Sequence, residues 1–282
     1  MLKSVLCAIG AAFALFSAVP STAAQLTEER LLHPVPGGTL TQAAVSAVAP
    51  AYRVTEQTIV AADGTRLHGV LLRQPHARGV VLYFGGNGFT IERFGAVAAA
   101  FFSRLGVDLM IVDHRGYGMS QGHPTVATLE SDGLTIFDYL ARLPGTNRAR
   151  IIVHGQSLGS FIAGHIAAHR PTAGVVLESS VTSTEQWVAA QGGFGLTIAP
   201  ALQGKGNLRY MPGIEEPLLL LVGADDRVTP PALSQGLFDA SPLPAGRKRL
   251  SIVPGAGHND VLARPEAVAA YQGFIAVALG RR

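Results

Sequence analysis

Apolar positions along the chain change period repeatedly, and the changes mark out the elements. Thr58-Ile59-Val60 and Leu67 to Leu72 flank the turn dipeptide Asp63-Gly64, which predicts a β-hairpin. Short continuous apolar runs then recur at Gly79 to Phe84, Val107 to Val112, Ile151 to Val153, Gly174 to Leu177, Leu218 to Val222 and Leu250 to Val253. Runs of this length without alternation fit strands buried on both faces. Between them lie alanine-rich or apolar-periodic stretches suited to helices: Ile91 to Leu105, Val126 to Leu143, Leu158 to His169, Pro231 to Asp239, and Pro265 to Leu279. Pro231 and Pro265 open their segments, where a first helical turn has no use for the missing N–H. Strand and helix in alternation predict the α/β class. The expected architecture is a mainly parallel, doubly wound sheet covered on both faces, with antiparallel N-terminal strands at one edge.

Three stretches break the pattern. Gln25 to Pro50 is polar and proline-punctuated, and reads as an irregular approach to the fold. Ser179 to Glu216 separates two core strands by more than a crossover helix needs, and carries Trp187, Gly192-Gly193-Phe194-Gly195 and Gly204-Lys205-Gly206. Long insertions of this kind serve as lids or binding loops, so residues 179–216 are read as a small cap rather than a slack surface excursion. The third stretch is the N-terminus, where Lys3 precedes the apolar run Val5 to Val19 and the small residues Thr22-Ala23-Ala24. That order is the signature of a secretory signal peptide cleaved near Ala24. It implies export to a periplasm or the cell exterior; the alternative is an uncleaved membrane anchor. With no internal repeat or low-complexity linker, residues 25–282 read as one domain.

Composition narrows the picture further. Of 282 residues 48% are hydrophobic, enough for a large core, and the formal charge is only +3. No Lys/Arg cluster is interleaved with aromatics, so a nucleic-acid partner is not expected. The single cysteine, Cys7, lies inside the leader. A processed chain would have no disulfide, no thiolate nucleophile and no Cys-ligated metal. No carboxylate cluster and no phosphate-cradling G-x-x-x-x-G-K appears, so neither a metal nor a nucleotide cofactor is implied.

Candidate chemistry begins at Gly155-Gln156-Ser157-Leu158-Gly159, which fits G-x-S-x-G. The pattern alone is weakly specific; its setting is not. It follows the strand Ile151 to Val153 directly and opens a helix at Leu158, so the serine would occupy a strained turn with its Oγ above the sheet. Side chains at the two glycines would collide with the neighbouring strand and helix. The helix N-terminus favours the negative charge that develops during acyl transfer. A serine that merely caps a helix is the structural alternative. A serine hydroxyl needs a base, and His258 is placed for it in the glycine-rich loop Pro254 to Asp260 after the last strand. In a doubly wound sheet that loop leaves the same carboxyl edge as the serine turn. The third requirement is a carboxylate to hold the imidazole tautomer. Asp225 and Asp226 both follow the strand Leu218 to Val222, and the residues alone leave the choice open.

Four segments in order carry a family resemblance: Phe84-Gly85-Gly86-Asn87-Gly88, Asp113-His114-Arg115-Gly116-Tyr117-Gly118-Met119-Ser120, the serine turn, and the paired Asp226 and His258 loops. From about Gly79 onward the chain resembles the α/β-hydrolase superfamily, in particular its small-cap serine hydrolases of the BEM46-like and dienelactone-hydrolase-like kind. The resemblance implies Ser157, Asp226 and His258 as nucleophile, orienting acid and base, and selects Asp226 by its distance from the glycine ending the strand. It implies an oxyanion hole from the N–H groups of Leu158 and Asn87. Similar proteins commonly have His-Gly in the latter loop; Gly85 stands where the histidine would, which predicts a more flexible loop. Asp113 to Ser120 is expected to shape a loop beside the site, not to react. The implied activity is cofactor-independent hydrolysis of a small-molecule carboxylic ester or thioester through an acyl-enzyme, falling on acidification because the base must be neutral. A peptidase or amidase with the same residues, an inactive binding protein of the same fold, and a membrane-anchored scaffold are the rival readings. No stable membrane span is expected after processing.

Overall fold

The computed structural model describes residues 24–193 and 195–280. The predicted leader, with Lys3 and Cys7, lies outside the described residues apart from Ala24. Along the chain the elements are β1 (Gln25–Leu26), α1 (Glu28–Leu31), α2 (Gln42–Ser46), β2 (Arg53–Val60), β3 (Arg66–Arg73), β4 (Val80–Phe84), α3 (Ile91–Ser103), β5 (Asp108–Val112) and α4 (Val126–Arg142). They continue with β6 (Ile151–Gln156), α5 (Leu158–His169), β7 (Gly174–Glu178), α6 (Thr184–Ala190), β8 (Thr197–Ile198), β9 (Leu218–Gly223), α7 (Pro231–Ala240), β10 (Lys248–Val253) and α8 (Pro265–Ala278).

Every strand and helix expected from the pattern is present, and the differences lie at the ends. β2 begins at Arg53, before the predicted Thr58, because its first half faces solvent and carries no apolar run. β6 runs on to Gln156: His154 and Gly155 pair with Tyr83 and Phe84 of β4, although neither looks like a strand residue. Eight strands form one sheet in the order β10-β9-β7-β6-β4-β5-β3-β2. β3 alone runs against its neighbours β2 and β5, and the remaining pairs are parallel.

Alternation along each strand splits the core in two. On β4, Val81 and Tyr83 face a cluster with Ile91, Phe102 and Tyr271, under α3 and α8. Val80, Leu82 and Phe84 face the other side, with Phe137, Ile162 and Leu237 from α4, α5 and α7. The order reverses at β4, which pairs with β5 on one side and β6 on the other. The carboxyl ends of β4 and β6 therefore lie side by side at the switch point, the place where such sheets hold their ligands.

The two irregular stretches are more ordered than their sequences suggest. Within 179–216, α6 and β8 form with several 3-10 turns, and Val181, Val188 and Leu202 from this stretch make a small separate core with Leu26, Val126 and Phe161. The N-terminal approach supplies β1, which pairs in parallel with β8, Gln25 against Thr197 and Leu26 against Ile198. The approach segment and the insertion thus share one sheet and one core. Both ties are too short to leave a periodic trace in the sequence.

Candidate functional site

Ser157 sits between β6 and α5 with φ +51° and ψ −113°, a conformation an L-residue holds only when its surroundings enforce it. Two close approaches do so here. A Cβ at Gly155 would lie 2.1 Å from the carbonyl oxygen of Gly159, and one at Gly159 would lie 2.1 Å from that of Phe84. The turn is closed by the Ser157 N–H donating to the Glu178 carbonyl at 2.9 Å, and by Ser160 N–H returning to the Ser157 carbonyl at 3.0 Å.

The structure brings Ser157, His258 and Asp226 together. His258 Nε2 is 3.0 Å from Ser157 Oγ, and His258 Nδ1 is 2.9 Å from Asp226 Oδ2 and 3.1 Å from Oδ1. The carboxylate can only accept at Nδ1, so that nitrogen carries the proton and Nε2 presents its lone pair to the serine hydroxyl. Asp226 is fully buried and His258 nearly so, with side-chain exposures of 0% and 13%. Burial alone would raise the Asp226 pKa. The His258 hydrogen bond and charge, with the Thr229 N–H, outweigh it and hold the carboxyl below its ordinary value. The arrangement can move a proton from Ser157 onto His258 while Asp226 stabilises the resulting imidazolium.

Asp225 is excluded from this contact. Its side chain is exposed, and its N–H is fixed to the Ala256 carbonyl at 2.9 Å, part of the seam joining the two loops. Asp226 instead accepts from Val228 N–H at 2.9 Å, Thr229 N–H at 2.8 Å and the Thr229 hydroxyl at 2.9 Å. Asp-x-x-Thr is a local capping pattern. Thr229 was missed in the sequence, yet its spacing from Asp226 and not Asp225 could have decided between the two.

Other supporting residues were also unmarked. Gln156 donates toward the His258 carbonyl at 3.3 Å and Asn259 Oδ1 at 3.4 Å, tying the serine turn to the histidine loop. Asp260 accepts from Gly257 N–H at 2.6 Å inside that loop. From the 179–216 insertion, Trp187 Nε1–H and Gln191 Nε2–H each donate to the Val228 carbonyl at 2.9 Å, so α6 and the residue that ends it fasten the loop that holds Asp226.

Leu158 is the first residue of α5, where a backbone N–H has no partner within the helix. In the facing loop, a Cβ built on Gly86 would stand 3.4 Å from Ser157 Cβ. Asn87 follows it, but its side chain is turned to the N-terminal segment and to Tyr117. Only its backbone N–H remains for the expected role. Gly85 itself is closely surrounded. His114 Nε2–H donates to the Gly85 carbonyl at 2.7 Å, and a Cβ at Gly85 would fall 2.1 Å from the Phe89 ring. Burial drives the His114 pKa below its ordinary value against the pull of Gly85, Asp113 and Asp132, which leaves a neutral ring able to donate. An imidazole thus braces this loop from the segment after β5 instead of from within it.

The segment Asp113 to Ser120 is tied into the fold by its charged side chains. Arg115 forms a two-pronged pair with buried Asp132 at 2.7 and 2.8 Å and reaches Asp63 in the hairpin turn at 2.7 Å. Asp113 accepts from Ile91 N–H at the start of α3 and from His68. Contrary to the expectation that no His-x-x-x-His spacing occurs, His165 and His169 make one on α5. Among the described residues, no group of three His, Cys, Asp or Glu side chains is placed to hold a metal.

Residues 75–210 match the family described as serine aminopeptidase, S33. An uncharacterized protein of Mycobacterium tuberculosis is 32% identical over 219 residues, covering 76% of this chain and 75% of its own. Protein bem46 of Schizosaccharomyces pombe is 28% identical over 208 residues, covering 70% and 68%. The chain belongs to the α/β-hydrolase superfamily, as a BEM46-like member. Human alpha/beta hydrolase domain-containing protein 17B is 27% identical to this BEM46-like chain over 206 residues, covering 70% and 67%. Among solved structures, an esterase of Pyrococcus furiosus matches its fold with a TM-score of 0.68 at 19% identity, over 86% of this chain and 97% of its own.

Proposed function

We propose that this BEM46-like protein is an exported serine hydrolase that cleaves a carboxylic ester or thioester of a small molecule. The observation that carries the reading is His258 set between Ser157 Oγ and buried Asp226, at 3.0 and 2.9 Å. Ser157 attacks the carbonyl carbon as its proton passes to His258 Nε2. The tetrahedral oxyanion is held by the N–H groups of Leu158 and Asn87. His258 then protonates the leaving alcohol or thiol, and an acyl-enzyme remains. Water attacks the acyl carbon with His258 again as base, releasing the acid and restoring Ser157.

Labelling by a fluorophosphonate probe tests this. Wild-type protein should label, Ser157→Ala should not, and hydrolysis of p-nitrophenyl esters and acyl thioesters should vanish with the label. Persistent labelling in Ser157→Ala would refute the assignment. The serine aminopeptidase description of the matching family favours a second reading, amide cleavage with the same residues. Faster turnover of aminoacyl amides than of esters of the same acid would select it. Export rests on the order of Lys3, the apolar run to Val19 and the small residues at Ala23-Ala24. The intact mass of the secreted chain tests it, since cleavage should leave a product beginning near Gln25. No helix among the described residues is long and apolar enough to cross a membrane.

A further inference from the structure

The side chain of Asn87 is exposed, yet it is engaged on both ends of its amide. Its Oδ1 accepts from the His33 N–H at 2.9 Å and from the Tyr117 hydroxyl at 2.7 Å. Its Nδ2 donates to the Leu31 carbonyl at 2.6 Å and lies 3.2 Å from His33 Nδ1. A surface asparagine ordinarily spends these groups on water. Here they join three chain segments at the loop facing Ser157.

The groups that hold Asn87 are themselves held. Tyr117 is fully buried, with its N–H donating to the His114 carbonyl at 2.8 Å. Leu31 and His33 belong to the N-terminal segment, which is fixed on either side of them. Before them, Glu28 accepts from Val126 N–H at 2.7 Å, at the start of α4. After them, Gly118 N–H donates to the Val35 carbonyl at 2.8 Å, and Gly38 N–H donates to Glu92 at 2.6 Å. The amide therefore links its loop to a fixed frame and not to a loose tail.

We propose that Asn87 is a positioning residue whose side chain fixes the second oxyanion N–H, which makes Leu31, His33 and Tyr117 part of the apparatus that stabilises the transition state. The inference rests on the acyl-hydrolase reading above. Hydrogen bonds to an oxyanion gain from being set in place before the charge develops, and a donor free to wander loses much of that gain. Substrate in its ground state carries little charge on that oxygen, so loosening the loop should lower kcat and leave KM nearly alone.

Asn87→Ala keeps the backbone N–H and removes the amide that holds it. Its kcat on a p-nitrophenyl ester should fall about ten- to a hundredfold, below the loss expected for deleting an oxyanion donor outright. KM should stay within about twofold. The inhibition constant of phenylboronic acid, which forms a tetrahedral adduct on the serine, should rise in step with the fall in kcat. A defect of folding alone would lower the active fraction without changing that constant. Tyr117→Phe, which keeps the buried ring, should move both quantities the same way by less. Because its hydroxyl acts through Asn87, the double variant should be no worse than Asn87→Ala. Wild-type kcat and boronate affinity in Asn87→Ala, or losses that multiply in the double variant, would overturn the inference. A wild-type protein inert toward esters, thioesters and fluorophosphonate would overturn the acyl-hydrolase reading, and this inference with it.

Discussion

Replacing Asp226 by asparagine should cost far more than a lost charge would suggest, because the surroundings dictate which way the new amide points. Asp226 Oδ1 accepts two backbone N–H groups, from Val228 and Thr229, at 2.9 and 2.8 Å. An asparagine NH2 placed there would meet donors with a donor, so its oxygen must take that position. The NH2 then falls where Oδ2 lay, 2.9 Å from His258 Nδ1. Nδ1 must become the acceptor, the ring proton moves to Nε2, and Nε2 faces Ser157 with a hydrogen instead of a lone pair. Loss of the correct tautomer in a Ser-His-Asp site costs about 10⁴ in kcat, equivalent to roughly 5 kcal/mol of transition-state stabilisation. The assay is kcat/KM on an activated ester for Asp226→Asn and Asp225→Asn side by side, with thermal unfolding to confirm that both are folded. Asp225 is exposed and its carboxylate takes no part in this contact, so its variant should stay within about twofold of wild type. A loss below tenfold in Asp226→Asn, or equal losses at both positions, would refute the tautomer argument.

Two further predictions concern stability. Arg115→Met should destabilise the fold by about 3–5 kcal/mol in urea unfolding, because Asp132, with only 5% of its side chain exposed, is left without its cation. Asp63→Ala, which removes the exposed partner of the same arginine, should cost far less, and equal costs would contradict the assignment. His165 gives a pH signature: burial holds its pKa near about 4, below the ordinary 6.5, so the unfolded chain binds the extra proton first as pH falls. Stability should decline as pH drops from about 6.5 to about 4 and this contribution should level off below; His165→Gln should flatten that window in melting temperatures measured across it.

The elements that could be read from sequence were those written in apolar period or in a fixed local motif. Buried parallel strands announce themselves as unbroken runs such as Leu218-Leu219-Leu220-Leu221-Val222, and the serine turn announces itself through two glycines whose Cβ positions are already filled by backbone. His258 could be found because a loop after the last strand must emerge at the same sheet edge as a loop after β6. The choice of Asp226 needed a resemblance, although the Asp-x-x-Thr spacing held the same information in the form of a cap. The solvent-facing half of β2 was missed because it buries too little to carry an apolar pattern.

What stayed illegible is the bracing of the site, and the reason is chemical. Trp187 and Gln191 reach the Asp226 loop through Val228, while Asn87 reaches the N-terminal segment through Leu31 and His33. Each tie joins a side-chain polar atom to backbone more than 40 positions away, or nearly so, and any polar residue of suitable reach could have made it. No period or local spacing encodes such a bond. The pairing of β1 with β8 adds a consequence that neither segment shows alone: the approach segment and the 179–216 insertion share one sheet, and together they touch both the loop facing the serine and the loop holding Asp226. A shift of residues 179–216 relative to the helices covering the sheet would therefore be felt at Asp226 through Val228 and at Asn87 through β1 and α1, so the two loops are held to a common frame instead of moving independently.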